Sequence, residues 1–300
     1  MGDQQPARPR RRLAVVAAAL VVVGAGATAV SRHGQEPAAR AVPLSAGEFP
    51  EPGIEHTHGL GVDPADGVLY AATHFGLLRL EDGRMTRVAN RYQDTMGFEV
   101  IGDGRFLGSG HPDFREDNPP LLGLIESTDG GQSWTPLSLR GKADFHAIEN
   151  IHDRVYAYDS TSETFMVSDD GRTWERRSQL VVLDFAVSPE DPELVVAATE
   201  DGPHRSTDGG RTWLPLAGAP DLAVLSWDHE LVAVSQDGGV HASGDQGRTW
   251  SARGRVGGEP EAMTVASAGA GRSLFVAVAE SGILESKDGG QTFRMFYGDR

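Results

Sequence analysis

The sequence predicts an all-β chain folded as a six-bladed β-propeller, and three observations carry that reading. One hairpin motif recurs five times at a nearly constant interval. Six pairs of short apolar strands align at the same interval. No helical periodicity of useful length separates them, which disfavours a parallel α/β fold.

The hairpin motif comes first. Its copies are Ser127-Thr-Asp129-Gly-Gly131-Gln-Ser133-Trp134, Val167-Ser-Asp169-Asp-Gly171-Arg-Thr173-Trp174, Ser206-Thr-Asp208-Gly-Gly210-Arg-Thr212-Trp213, Ser243-Gly-Asp245-Gln-Gly247-Arg-Thr249-Trp250 and Ser286-Lys-Asp288-Gly-Gly290-Gln-Thr292-Phe293. The terminal aromatics recur about every 40 residues, a period typical of propeller blades. Asp and Ser side chains cap backbone N–H groups in such a turn, and Gly takes the left-handed conformation that other residues resist. The aromatic then opens the outgoing strand, where it packs between neighbouring sheets. The second copy has Val in the Ser position, and the fifth has Phe for Trp.

Each period supplies four strands, hence one blade. First strands align as HTHGLGV (56–62), DTMGFEV (94–100), DFHAIEN (144–150), DFAVSPE (184–190), DLAVLSW (221–227) and EAMTVAS (261–267). Second strands follow as LYAAT, RFLGSG, RVYAY, LVVAAT, LVAVS and LFVAVA. The first blade has a degenerate turn, Leu80-Glu-Asp82-Gly-Arg-Met-Thr, without the aromatic. The propeller is expected over 54–300.

The N-terminus reads as an address. Arg8-Pro-Arg-Arg-Arg12 precedes an uncharged apolar run from Leu13 to Val30. A basic region, an apolar run and small residues at its end make a secretory signal, and the run is also long enough to anchor in a bilayer. Residues 1–30 are therefore a signal peptide or a membrane-anchor helix, and 31–53, rich in Pro, Ala and Glu, a flexible linker. The expected location is outside the cytoplasm, either secreted or anchored at the cell surface.

Composition excludes several functions. With no cysteine, the chain has no disulfide, thiolate metal site or Cys nucleophile. The formal net charge is −16 even though residues 1–33 hold five arginines, so the body is more acidic still. Such a surface repels phosphate backbones and makes nucleic acid an unsuitable partner.

The repeat resembles the Asp-box, or BNR repeat, of bacterial sialidases, sortilin-type receptors, xyloglucan-cleaving enzymes and photosystem assembly propellers. Overall the chain is similar to exported bacterial propellers of the exo-sialidase or glycosyl-hydrolase kind. The resemblance implies a sialidase-like propeller, but the boxes themselves carry no chemistry. It also implies an arginine triad, a Tyr–Glu pair and an Asp acid/base if sialic acid is the substrate. The Arg-Ile-Pro motif is absent, and the channel-facing columns contain no Arg.

Blade register points to the ligand face. The turns between third and fourth strands occupy one face, so first-strand starts and second-strand ends lie on the other. First-strand starts are His56, Asp94, Asp144, Asp184, Asp221 and Glu261; two residues on stand His58, Met96, His146, Ala186, Ala223 and Met263. Second strands end at His74, His111, Asp159, Glu200, Gln236 and Glu280. His56, His58, His74, His111 and His146 thus form a candidate set for a transition metal such as Zn or Cu, which imidazole suits. Asp184, Asp159, Glu200 and Met96 are candidate ligand-binding residues, and Asp94 and Asp144 a candidate catalytic carboxylate pair. The loop His111–Pro120 is a candidate lid.

Three functions stay open: a propeller binding a small molecule, glycan or metal ion at a His/acid-lined channel mouth; a glycoside hydrolase using channel carboxylates; and a cell-surface interaction scaffold.

Overall fold

The computed structural model describes residues 56–268 and 271–298. The signal or anchor and its linker lie outside the described residues. Among those described, no helix is long and apolar enough to cross a membrane.

The described residues form six four-stranded antiparallel sheets, each built from four consecutive strands. Blade 1 runs over 57–87, blade 2 over 94–138, blade 3 over 145–179, blade 4 over 184–215, blade 5 over 222–255 and blade 6 over 260–297. The expected all-β six-bladed propeller is the observed fold. First strands of successive blades contact one another around the ring, with blade 6 packed on blade 1.

Sequence pattern explains the layering within a blade. Second strands such as Leu69–Thr73 and Leu231–Ser235 are buried at every position, because neighbouring blades cover both faces. They are therefore continuous apolar runs rather than alternating ones. Fourth strands are polar, as in Glu175–Gln179 (ERRSQ) and Ser251–Arg255 (SARGR). Charge on an outer edge strand discourages pairing with another chain.

Six apolar clusters fill the six interfaces between blades. Tyr156, Phe165 and Val167 of blade 3 meet Phe185, Val187 and Val195 of blade 4. The ring closes through Leu60, Leu69 and Leu78 of blade 1 against Ala262, Phe275 and Ile283 of blade 6. Each hairpin aromatic packs into the interface with the preceding blade: Trp134, Trp174, Trp213, Trp250 and Phe293 in turn. Met85 takes that place in blade 1, where the sequence lacks an aromatic.

The repeated turn owes its residues to hydrogen bonding. Ser206 Oγ accepts the Gly210 N–H at 2.8 Å and donates to Asp208 Oδ1 at 2.7 Å. Asp208 accepts the N–H and hydroxyl of Thr212 at 2.8 and 2.6 Å. The same bonds join Ser127, Asp129 and Ser133 in blade 2, and Ser286, Asp288 and Thr292 in blade 6. Gly210 has a φ of 87°, and a Cβ there would sit 2.4 Å from the Phe165 ring of the preceding blade. Both turn conformation and blade packing thus require glycine.

Blade 3 departs from the expected register by one residue. Ser168, not Val167, faces the capping carboxylate, and that carboxylate is Asp170, not Asp169. Asp170 accepts the N–H and hydroxyl of Thr173 at 2.7 and 2.6 Å. The Ser-to-Asp spacing is kept while the Asp-to-Thr spacing loses a residue. Asp169, left outside the turn, pairs with Arg154 at 3.0 Å.

Candidate metal centre

The face opposite the repeated turns is shaped by a recurring β-bulge. In blade 1, Thr57 pairs with Thr73 and Gly59 with Ala72, so His58 is an extra residue. The same irregularity leaves Met96 extra in blade 2, His146 in blade 3, Ala223 in blade 5 and Glu261 in blade 6. A bulge bends the strand and re-aims one side chain. His58, His146 and Glu261 all line the central channel, a cavity of about 190 Å³.

The bulges correct the alignment of blade 6. Glu261 stands in the column of His58, where the sequence had placed Met263. Glu259 stands in the column of Asp144, since its carbonyl accepts the Ala279 N–H as that of Asp144 accepts the Ser160 N–H.

Blade 1 and blade 2 meet at three donor atoms. His58 Nε2 lies 3.2 Å from His74 Nδ1. His74 Nδ1 lies 3.0 Å from Asp94 Oδ1, and His58 Nε2 lies 3.7 Å from the same oxygen. Three ligand atoms spaced like this can all sit at about 2.0–2.1 Å from one ion with angles between roughly 90 and 135°. The His58 side chain is only 7% exposed, whereas that of His74 is 43% exposed and forms the lip. Burial, with the neighbouring imidazoles His74, His56, His146 and His111, pushes His58 down to about 2 and disfavours its charged form.

His56 stands beside this triangle. Its ring stacks on His74 with centroids 5.5 Å apart, and its Nδ1 lies 2.9 Å from Glu261 Oε1. That hydrogen bond raises the His56 pKa, against a smaller opposing effect of burial. Glu261 Oε2 accepts the Thr57 N–H at 3.1 Å, joining blade 6 to blade 1.

One blade on, Asp144 Oδ2 lies 2.9 Å from His146 Nε2 and 3.6 Å from His111 Nε2. Asp94 and Asp144, the candidate carboxylate pair, therefore each face two imidazoles. The other candidates divide. Asp159 is buried and accepts the Asp144 N–H and the Thr161 hydroxyl, at 3.0 and 2.5 Å. Asp184 accepts the Phe185 N–H and, across to blade 5, the Leu225 N–H at 2.8 Å. Glu200 is exposed after the second strand of blade 4, and Met96 is half-buried in its bulge. In the loop His111–Pro120, Asp113 accepts the Tyr92 N–H at 2.8 Å, which ties the loop to the start of blade 2.

Two channel acids escaped the sequence reading. Glu99 and Glu149 line the cavity with Asp184. Burial pushes Glu99 up to about 8 and Asp184 up to about 7. It raises Glu149 well above the usual range, with Glu99 and Asp184 adding repulsion. Glu149 accepts the Val187 N–H at 2.7 Å, bridging blades 3 and 4. Their signal was present: DTMGFEV and DFHAIEN carry Glu at the same place. Among the described residues lining the channel, none is an arginine.

No family model and no curated protein matches the sequence. Solved propellers do. A structure of YCF48 bound to D1 peptide is 16% identical, with 80% of this chain and 82% of that chain covered and a TM-score of 0.50. A chain of the nidogen/laminin complex is 13% identical, with 77% and 93% covered and a TM-score of 0.56. The GH74 xyloglucanase from Xanthomonas campestris is 19% identical with a TM-score of 0.47; the match covers 81% of this chain but 38% of that enzyme. The first two likenesses show the propeller fold and nothing more.

Proposed function

We propose that this chain is an exported Asp-box propeller whose channel mouth binds a transition-metal ion, with His58 Nε2, His74 Nδ1 and Asp94 Oδ1 as ligands. The convergence of those three atoms from two blades carries the reading. Two imidazoles and a carboxylate suit Zn or Cu. His74 Nδ1 faces both an imidazole nitrogen and a carboxylate oxygen. A cation satisfies all three at once.

Three protein ligands leave an outward coordination position. That is the arrangement by which a metal site takes a water molecule or an exogenous ligand. The function best supported is metal-dependent binding of a small molecule or glycan at this mouth. His56, held by Glu261, borders the open side and is placed to orient what binds there. Residues 1–30 supply export or anchoring, on the strength of the basic and apolar segments there.

Metal analysis of tag-free protein, followed by zinc titration in a calorimeter, tests this reading. Saturable binding that disappears in His58→Ala/His74→Ala supports it. Absence of both retained metal and zinc-binding heat refutes it.

A further inference from the structure

On the face of the repeated turns, the seam between blade 6 and blade 1 differs from the other five. At those five, the turn of the following blade lies against the blade before it. A Cβ on the turn glycine would sit 2.4 Å from Leu77 at Gly131, 3.5 Å from Leu124 at Gly171 and 2.4 Å from Phe165 at Gly210. The corresponding distances are 3.2 Å from Val196 at Gly247 and 2.7 Å from Val240 at Gly290. Hydroxyls of the preceding fourth strand also hold turn carbonyls. Ser138 Oγ donates to the Gly171 oxygen at 2.7 Å, and Ser178 Oγ to the Gly210 oxygen at 2.6 Å.

Blade 1 has no such turn to offer. Glu81 pairs directly with Arg84, so its hairpin closes in two residues. Asp82 and Gly83 have φ of 50° and 70°, the pair of positive angles that a type I′ turn needs. A Cβ at Gly83 would meet nothing within 4 Å. The short turn leaves a groove of about 590 Å³ between the two blades. That volume is in the range of a ligand site and far above an ordinary packing void.

The groove has an aromatic wall. A bulge makes Phe296 an extra residue in the fourth strand of blade 6, as it does Arg177 in blade 3. Arg177 Nη1 donates to the Gly209 carbonyl, in the turn of the next blade, at 2.5 Å. Phe296, at the same place in its own blade, is 37% exposed. Its ring stands edge-on to Phe275 with centroids 5.0 Å apart, and both rings line the groove.

The groove is also basic, on a chain of net charge −16. Arg272, Lys287 and Arg294 line it against one acid, Glu285. Arg294 is committed to that acid, with Nε 2.8 Å from Glu285 Oε2. Lys287 Nζ stands 3.5 Å from Oε1 on a side chain that is mostly exposed. Arg272 Nε faces Asp228 Oδ2 at 3.5 Å, and neither its Nε nor its Nη2 makes a hydrogen bond. Arg272 and Lys287 thus keep donors for an incoming anion. Repulsion from the acidic body elsewhere confines an acidic partner to this one place.

We propose that this groove docks an acidic segment of a partner protein, with one aromatic side chain against Phe275 and Phe296 and carboxylates at Arg272 and Lys287. It lies on the face opposite His58, His74 and Asp94 and does not depend on the metal reading.

Fluorescence anisotropy of the labelled peptide Asp-Glu-Trp-Glu-Asp, titrated with the full chain in detergent, tests it. Saturable binding is expected, weakened by added salt and by at least about tenfold in Phe296→Ala and in Lys287→Glu. Replacing the peptide's Trp by Ser should abolish binding, which separates recognition from charge attraction alone. His58→Ala/His74→Ala should bind as wild type does, and a circular-dichroism melt verifies that each variant is folded. Absence of saturation at about 1 mM chain overturns the proposal. So does undiminished binding by both groove variants, or loss of binding only in His58→Ala/His74→Ala, which would put the peptide at the mouth. If sedimentation shows a dimer that Phe296→Ala dissociates, the occupant is a second copy of the chain and the partner proposal falls.

Discussion

His74 Nδ1, in the turn that follows the second strand of blade 1, lies 3.0 Å from Asp94 Oδ1, on the first residue of blade 2. The contact crosses a blade boundary, so its geometry is set by the closure of the ring and not by one hairpin. Removing one first ligand should be severe, since even outer partners of metal ligands cost about 10–100-fold in affinity. Asp94→Asn is expected to weaken zinc binding at the proposed site by at least about 100-fold, read by competition with a chelating dye. Unchanged affinity would remove Asp94 from the ligand set.

The channel acids predict a pH dependence with a definite sign. Glu99 is raised from its ordinary value near 4.5 to about 8, so the folded chain holds its proton where the unfolded chain has released it. Folding stability therefore falls as pH rises from about 4.5 to 8 and levels off above. Glu99→Gln removes this loss. Its melting temperature relative to wild type should improve between pH 5 and pH 8, and a constant difference would contradict the assignment.

The turn carboxylates act in the opposite sense. Hydrogen bonds from the Thr292 hydroxyl and N–H, and from the Ser286 hydroxyl, hold Asp288 down to about 2. This contribution is fully present above the ordinary carboxylate range and is lost as pH falls through about 2. Acid titrations followed by circular dichroism should show Asp288→Asn to be less sensitive than wild type between pH 4 and pH 2.

Trp213 tests the packing between blades. Its ring meets Phe165 of blade 3 edge-on at 5.3 Å, and its Nε1 donates to Ser178 Oγ at 2.9 Å. Trp213→Ala opens a cavity at that interface and is expected to cost about 3 kcal/mol, measured by urea unfolding. A loss below about 0.5 kcal/mol would show that the aromatic is not holding the blades together.

The fold was legible because its signal is a repeat, and each copy reports the same local chemistry. Ser206, Asp208 and Gly210 could be read from spacing alone because their hydrogen bonds stay within the turn. Blade 3 misled for the same reason. Ser168 and Asp170 keep the bonding but shorten the turn by one residue, and a fixed template cannot show that. The five histidines came to one face because up-and-down topology dictates the face. Which of them converge was not legible, since bulges at His58, His146 and Glu261 change aim without changing residue type. Glu99 and Glu149 were missed because a Glu in an apolar strand reads as a solvent-facing position. Only ring closure turns that face into a channel wall.

The central claim is that His58, His74 and Asp94 hold an ion. A crystal of the zinc-loaded protein, measured on both sides of the zinc absorption edge, tests it most directly. The account predicts an anomalous peak within about 2.0–2.2 Å of His58 Nε2, His74 Nδ1 and an Asp94 oxygen. A zinc-loaded crystal with no peak at these three atoms, or with peaks only at surface carboxylates, would contradict it.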